Sequence, residues 1–196
     1  MRKLISAMKI SLDGKISGPD GSDADWVNGW SDDYGLTEQI DACVIGGLYP
    51  DYEQYWTRIQ QEPEKILLET NKKPTPGEVK WARFAEHTPH YVLSSTVSSA
   101  LWPLTHFLRG IEDVAELKKQ GGKDIYLIGG ARTVASLIDA GLVDELRLIV
   151  YPLIAGDGKA LFGTTKFRQL LNLRETHQLS DGCVILIYDI KSIINS

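Results

Sequence analysis

The chain is poor in the residues that staple or metallate small proteins. Of its 196 residues only two are cysteine and four are histidine. Cys43 and Cys183 each sit inside an apolar run, ACVIGG and GCVILIYDI, which favours buried free thiols over a disulfide. His87, His90, His106 and His177 show no ligand spacing such as HxxxH, so no metal is expected. Positive charge is also scarce: 21 Lys and Arg face 26 Asp and Glu, a net charge of -5. That balance argues against a nucleic-acid partner, which demands a basic face. Long apolar runs are missing too, none approaching the roughly 20 residues that cross a bilayer. The opening MRKLISAMKISLDG carries charges inside its apolar pattern, unlike a signal peptide. No membrane partner is expected, and the cytoplasm is the default compartment.

What is present suits one domain over residues 1–196, with 43% hydrophobic residues to build a core and 18 glycines to punctuate it. The most legible stretch runs from Lys123 to Phe162. Ile125 to Ile128 form a buried strand ended by Gly129-Gly130, and Val134, Leu137, Ile138 and Leu142 recur at helical spacing. Gly141 closes that helix, and Leu146 to Tyr151 make another buried strand, ended by Pro152 and Gly156-Asp157-Gly158. A strand turning sharply into a helix aims free N–H groups and the positive end of the helix dipole at one point, which suits a phosphate. Arg132 adds a full charge there. The same turn also serves packing alone in many α/β proteins, and GGARTV is not the dinucleotide fingerprint of a Rossmann unit.

Elsewhere, Leu4 to Leu12 reads as a strand followed by the turn Asp13-Gly14-Lys15. Trp26 and Trp30 sit in a polar setting, DWVNGWSDD, where they either cover the core or line a ligand pocket. Ser31, Asp32 and Asp33 resemble a helix cap with acids in the first turn, predicting a helix from Asp32 to Ile40. Ala42 to Ile45 is a second buried strand, again ending in two glycines, Gly46-Gly47. Asp51 to Gln61 has helical character, Lys72 to Gly77 is a loop, and Val79 to Glu86 has no clear period. Tyr91 to Leu93 is a strand ending in the hydroxyl cluster Ser94-Ser95-Thr96, Phe107-Leu108 a short strand and Ile111 to Gln120 an amphipathic helix. Thr164 to Asn172 is loosely helical. Leu173 to Leu179 and Val184 to Ile190 form a terminal hairpin across Asp181-Gly182. The pattern is α/β: a mostly parallel central sheet with an antiparallel hairpin at its edge.

Three segments resemble one family: SLDGKIS at Ser11 to Ser17, IGG before a helix at Ile128 to Gly130, and GLVDELRLIVYPLIAGDGKALF at Gly141 to Phe162. They are similar to the dihydrofolate reductase-like superfamily, and within it to the reductase domain of riboflavin-biosynthesis deaminase-reductases. The resemblance implies a three-layer dihydrofolate reductase-like fold and a nicotinamide cofactor, NADPH with NADH possible, lying across the carboxyl edge of the sheet. It places Met8, Lys9, Ile16 and Ser17 beside the nicotinamide, Gly46 and Gly47 near the phosphates, and Ser94 and Ser95 near the adenosine ribose. Gly129, Gly130, Ala131, Arg132, Thr133 and Val134 match the pyrophosphate turn, with a cis peptide between the two glycines. Homodimers built on the terminal strands are also implied.

Departures from the family narrow the reading. The GRxTY run after the second strand is Gly46-Gly47-Leu48-Tyr49-Pro50 here, and SRT after the third is Ser94-Ser95-Thr96, so two arginines are missing. The riboflavin reductases carry a first-strand lysine where this chain has Ala7, and their GTxxxDNP run is absent. No HxE with PCxxC marks a deaminase. The expectation is an oxidoreductase acting on a small pterin-, pyrimidine- or flavin-like heterocycle. Asp33, or else Asp32, is its proton donor, and Ala7, Asp13, Trp26 and Trp30 lie beside the substrate. Asp13 alternatively braces its own loop. The rival expectation is a non-catalytic nucleotide-binding module of the same fold.

Overall fold

The computed structural model describes residues 1–19, 24, 26–27, 34–67 and 71–191. Within them the apolar runs become strands β1 (Leu4–Ser11), β2 (Ile40–Ile45), β3 (His90–Leu93), β4 (Thr105–Leu108), β5 (Asp124–Gly129), β6 (Glu145–Tyr151), β7 (Leu171–Gln178) and β8 (Val184–Ile190). They form one sheet in the order β4-β3-β2-β5-β1-β6-β8-β7. The first six strands run parallel, and β8 and β7 close the far side antiparallel. Strands β1, β5 and β6 are buried along most of their length, as a parallel sheet covered on both faces requires.

Helices supply those covers. On one face, Trp56 and Ile59 of α1 (Tyr49–Gln61) and Trp81, Ala82 and Ala85 of α2 (Pro76–Glu86) pack in one cluster with Ile5, Cys43 and Tyr126. On the other, Val114 and Leu117 of α3 (Ile111–Lys119) and Val134, Leu137 and Ile138 of α4 (Ala131–Asp139) pack with Leu4, Val44, Leu127 and Leu148. The three layers and the terminal hairpin are those of the expected fold. β2 hands its chain to α1 on one face, while its neighbour β5 hands its chain to α4 on the other. At such a point of divergence a crevice opens outside the carboxyl ends of the strands, where open α/β sheets bind ligands.

The amino edge of the sheet is closed by charge. Glu145, at the start of β6, is fully buried and accepts from Arg147 Nε at 2.6 Å, Arg174 Nη1 at 3.0 Å and Lys3 Nζ at 3.3 Å. Burial pushes its carboxyl pKa up, but hydrogen bonds from Arg174 and Arg147 outweigh this and hold it below the usual range. Lys118 pairs with Asp144 at 2.6 Å and Arg2 pairs with Asp41 along the same edge. At the foot of β3, His90 is buried, with Nδ1 2.7 Å from the Thr88 carbonyl, and burial drives its pKa down to about 4.

Two predicted helices are corrected. Asp32 and Asp33 lie outside the described residues, but 34–39 form turns rather than a helix. Gly35 takes a φ of 68°, and the Leu36 carbonyl accepts Gln39 N and Ile40 N, which swings the chain directly into β2. Thr164 to Asn172 is likewise not helical: the Asp139 carboxylate takes the amides of Lys166 and Phe167, and β7 begins at Leu171. Conversely, the stretch without a clear period contains α2, whose capping box joins the Thr75 hydroxyl to Glu78 N and the Glu78 carboxylate to Thr75 N.

Candidate functional site

The crevice between β2 and β5 is walled by backbone. Gly46 N donates to the Gly129 carbonyl at 2.9 Å, and Ile45 pairs with Gly129 in register. A Cβ on Gly46 would collide with Thr133 Oγ1, and one on Gly130 would lie 2.8 Å from Leu48 Cδ1. Gly129 has a φ of 128°, its peptide to Gly130 is cis, and Met8 Sδ closes the position at 3.5 Å from an added Cβ. The positive φ at Gly129 and the Thr133 contact at Gly46 favour glycine at both positions. The two glycine pairs therefore bring Gly46, Gly47, Gly129 and Gly130 to one spot, together with Ala131, Arg132, Thr133 and Val134 of the first turn of α4.

That turn differs from those of the other helices. The first turns of α1, α2 and α3 carry Asp51, Glu78, and Glu112 with Asp113, respectively. The first turn of α4 has no acid, and its N-cap, Gly130, supplies no side-chain acceptor. Its positive dipole end thus meets no anion of its own among the described residues. Arg132 is exposed in that turn and forms no ion pair among the described residues.

One strand further out, the Ser94 hydroxyl accepts Thr96 N at 3.3 Å and Val97 N at 3.2 Å, so it ties its own turn, while Ser95 is exposed. An added Cβ on Gly47 would lie 3.8 Å from Ser94 Oγ, making the Ser94 turn continuous with the glycine crevice. Arg109, just past β4, was not singled out from sequence. Its Nη1 donates to the Ser94 carbonyl at 2.6 Å and the Val97 carbonyl at 2.9 Å. The signal was its place directly after a strand whose carboxyl end faces the same edge.

On the other flank, Ile16 N donates to the Lys159 carbonyl and Lys159 N to Ser17 Oγ at 3.0 Å, so the first loop is stitched to the turn after β6. Gly158 passes so close to the Ser17 carbonyl that a Cβ has no room. Asp13 spends both oxygens here: Oδ1 accepts from Ser11 Oγ and Ala155 N, and Oδ2 from Gly156 N. These bonds, the one from Ser11 largest, lower its pKa to about 2. Ala7 and Lys9 are both buried in β1, and the Ala7 carbonyl takes the Tyr126 hydroxyl at 3.3 Å. Trp26 packs beside Tyr151, Cys183 and Ile185, with its Nε1 buried and without an acceptor among the described residues. Trp30, Asp32 and Asp33 lie outside the described residues.

A three-layer sheet whose paired glycines meet an uncapped helix at a point of strand divergence defines a dihydrofolate reductase-like domain. Residues 2–187 match the RibD C-terminal domain family, and the chain belongs to it. It is 33% identical to the uncharacterized protein YyaP of Bacillus subtilis, over 95% of this chain and 94% of that one. It is 27% identical to the riboflavin biosynthesis protein RibD of Haemophilus influenzae, over 74% of this chain and 41% of that protein. Among solved structures, the fold is shared with a putative riboflavin biosynthesis protein of Shewanella sp. PV-4 at a TM-score of 0.69, with 20% identity over 97% of this chain and 99% of that one. It is shared as well with the diaminohydroxyphosphoribosylaminopyrimidine deaminase/reductase of Thermotoga maritima, TM-score 0.61, with 14% identity over 97% of this chain and 57% of that one.

The residues at the paired glycines suit the pyrophosphate of a dinucleotide. Backbone bare of Cβ atoms, an unopposed helix terminus and Arg132 offer donors for a pyrophosphate, and the Ser94-Ser95 turn lies where an extended molecule crossing β2 and β3 would end.

Proposed function

We propose that this protein is an NADPH-dependent reductase that delivers a hydride to a small pterin-, pyrimidine- or flavin-like heterocycle in the cytoplasm. The observation that carries the reading is the meeting of Gly46-Gly47 and Gly129-Gly130 at the uncapped start of α4. Bound there, the cofactor supplies a hydride from C4 of its nicotinamide, which passes to an electrophilic ring carbon while a proton goes to the neighbouring heteroatom.

The protein positions and encloses. Gly46, Gly47 and the Gly129 to Val134 turn hold the pyrophosphate, and Ser94 and Ser95 hold the adenosine end. Lys9, Ile16 and Ser17 flank the nicotinamide on the stitched first loop. Ala7, Trp26 and Trp30 serve the substrate, and the proton comes from Asp33 or else Asp32. Asp13 acts by holding its loop against Ala155 and Gly156 rather than by touching substrate. A second reading, a nucleotide-binding module without chemistry, draws support from that engagement of Asp13.

A homodimer through the hairpin is part of the proposal. β7 is exposed along its whole length, and Phe167, Leu170, Leu171 and Leu173 add apolar surface beside it. Light scattering at the dimer mass supports it; a monomer refutes it.

The test is a titration with NADPH and NADH followed by tryptophan fluorescence, then loss of nicotinamide absorbance on adding dihydropterins, flavins and aminopyrimidines. Binding with turnover supports the reductase. Binding with no turnover on any of them keeps the reductase and moves the search to other substrates, and no binding of either dinucleotide overturns the reductase and favours the non-catalytic module or a different ligand.

A further inference from the structure

On the outer side of α2, sharing no residue with the glycine crevice, the surface carries an open groove of about 480 Å³, within the roughly 300–1,000 Å³ of small-molecule sites. One side of it is the helix itself. Pro76, Val79, Lys80 and Arg83 stand at i, i+3, i+4 and i+7 on one face, while Trp81, Ala82 and Ala85 turn the other face into the core. The opposite side comes from Pro63 and Glu64, just past α1, and from Pro74, just before α2. Three of the chain's eight prolines thus line one groove, and walls of fixed φ lose little backbone freedom when a ligand packs on them. Leu67, between those walls in sequence, is buried in the α1–α2 cluster, and its N–H donates to the Lys72 carbonyl at 2.8 Å. The walls are thereby fixed in place.

The charge of the groove is unbalanced. Lys80 and Arg83 are both exposed and have no carboxylate or other hydrogen-bond partner among the described residues. Each acid on the adjoining segments is engaged elsewhere: Glu62 with Lys65 at 2.8 Å, Glu64 on the rim with Lys73 at 3.2 Å, Glu78 in the capping box with Thr75, and Glu86 with Gln60 Nε2. Two like charges three residues apart on a helix repel each other, and an anion between them relieves that repulsion. In a chain of net charge -5 this is a local positive patch joined to an apolar wall. The proline and valine faces offer C–H surface for a flat ring, and Lys80 with Arg83 offers donors for a carboxylate or phosphate at its edge.

We propose that this groove is a second ligand site for a small aromatic anion, whose ring packs on Pro63, Pro74 and Pro76 and whose charged group meets Lys80 and Arg83. It stands or falls independently of the reductase reading.

Backbone amide NMR of the intact protein, titrated with benzoate, phenyl phosphate, acetate and benzyl alcohol at fixed ionic strength, tests it. Benzoate or phenyl phosphate shifts the amides of Glu64, Val79, Lys80 and Arg83 along one saturating curve and leaves those of Gly46 and Gly130 in place. The dissociation constant is on the order of millimolar for so small a probe. Either aryl anion suffices, and the tighter of the two names the charged group. Acetate and benzyl alcohol bind at least about fivefold more weakly, since each lacks half of the recognition. Lys80→Gln combined with Arg83→Gln removes about tenfold of the benzoate affinity, and folding is unaffected because both side chains are exposed. In the wild type, added salt weakens benzoate binding, an independent reading of the charge. Acetate binding as tightly as benzoate leaves only exposed cations meeting an anion, benzyl alcohol binding as tightly leaves only an apolar surface, and either result overturns the proposal. So do shifts that never saturate, affinity untouched by the double substitution or by salt, or shifts confined to the paired glycines.

Discussion

The two edges of this sheet are built on opposite principles. At the amino edge, side chains close the structure: Glu145 lies under Arg147, Arg174 and Lys3, Arg2 meets Asp41, Lys118 meets Asp144, and His90 sits neutral at the foot of β3. At the carboxyl edge the glycines remove side chains, and the charges there, Arg132 and Arg109, have no carboxylate partner among the described residues. One edge spends its charges on ion pairs, and the other keeps arginines without carboxylate partners among the described residues. Stability and ligand recognition are thereby separated along the strand axis, and changes at each edge should report on only one of them.

The largest effect expected is at Glu145. Replacing it with Gln leaves Arg147 and Arg174 beside a buried neutral group and costs about 3–5 kcal/mol. Urea denaturation measures that loss, while dinucleotide affinity of the folded fraction stays unchanged. His90 gives the next effect, through pH. Its folded pKa is depressed to about 4, so the unfolded chain takes up a proton first as pH falls below the ordinary value of about 6.5. Stability is full above that value and declines by roughly 3 kcal/mol by about pH 4. His90→Asn flattens that segment of the pH profile, and a profile unchanged by the substitution contradicts the assignment.

At the other edge, Gly46→Ala drives a methyl into Thr133 and costs about 1–3 kcal/mol through overpacking. Here, unlike at Glu145, dinucleotide binding falls as well. Adding Thr133→Ala reopens the space, and a double-mutant cycle on stability returns a favourable coupling. The smallest effect is at Asp13. Its pKa is lowered to about 2 by bonds that exist only in the folded chain. Its contribution is present above the ordinary carboxylate pKa and fades as pH falls through the folded value. Asp13→Asn weakens the hold on Ala155 and Gly156, and trypsin then cleaves after Lys15 faster with little change in melting temperature.

Much of the carboxyl edge was legible because glycine pairs and apolar runs are local signals. ACVIGG and IYLIGG each announce a strand and its end without reference to the rest of the chain. The two mistaken helices had local signals that tertiary bonds overrode: Gly35 turns the chain left-handed before β2, and Asp139 captures the amides that a helix over Thr164 to Asn172 would have used. The helix passed over, α2, did carry a readable cap in Thr75-Pro76-Gly77-Glu78, masked by the look of a proline loop. The amino edge was hardly legible at all. Glu145 finds Lys3 and Arg174 from far along the chain, and only the register of β1, β6, β8 and β7 brings them together. Arg109 was missed for the same reason, since its value depends on β4 lying next to β3.

The most direct test of the separation between edges is a backbone amide map by NMR as NADPH is added to the intact protein. The amides of Gly46, Gly47, Gly129, Gly130 and Arg132 should shift together and saturate at one dissociation constant, while those of Arg2, Asp41, Glu145 and Arg147 stay in place. Saturating shifts at the amino edge, or none at the paired glycines, would contradict the account.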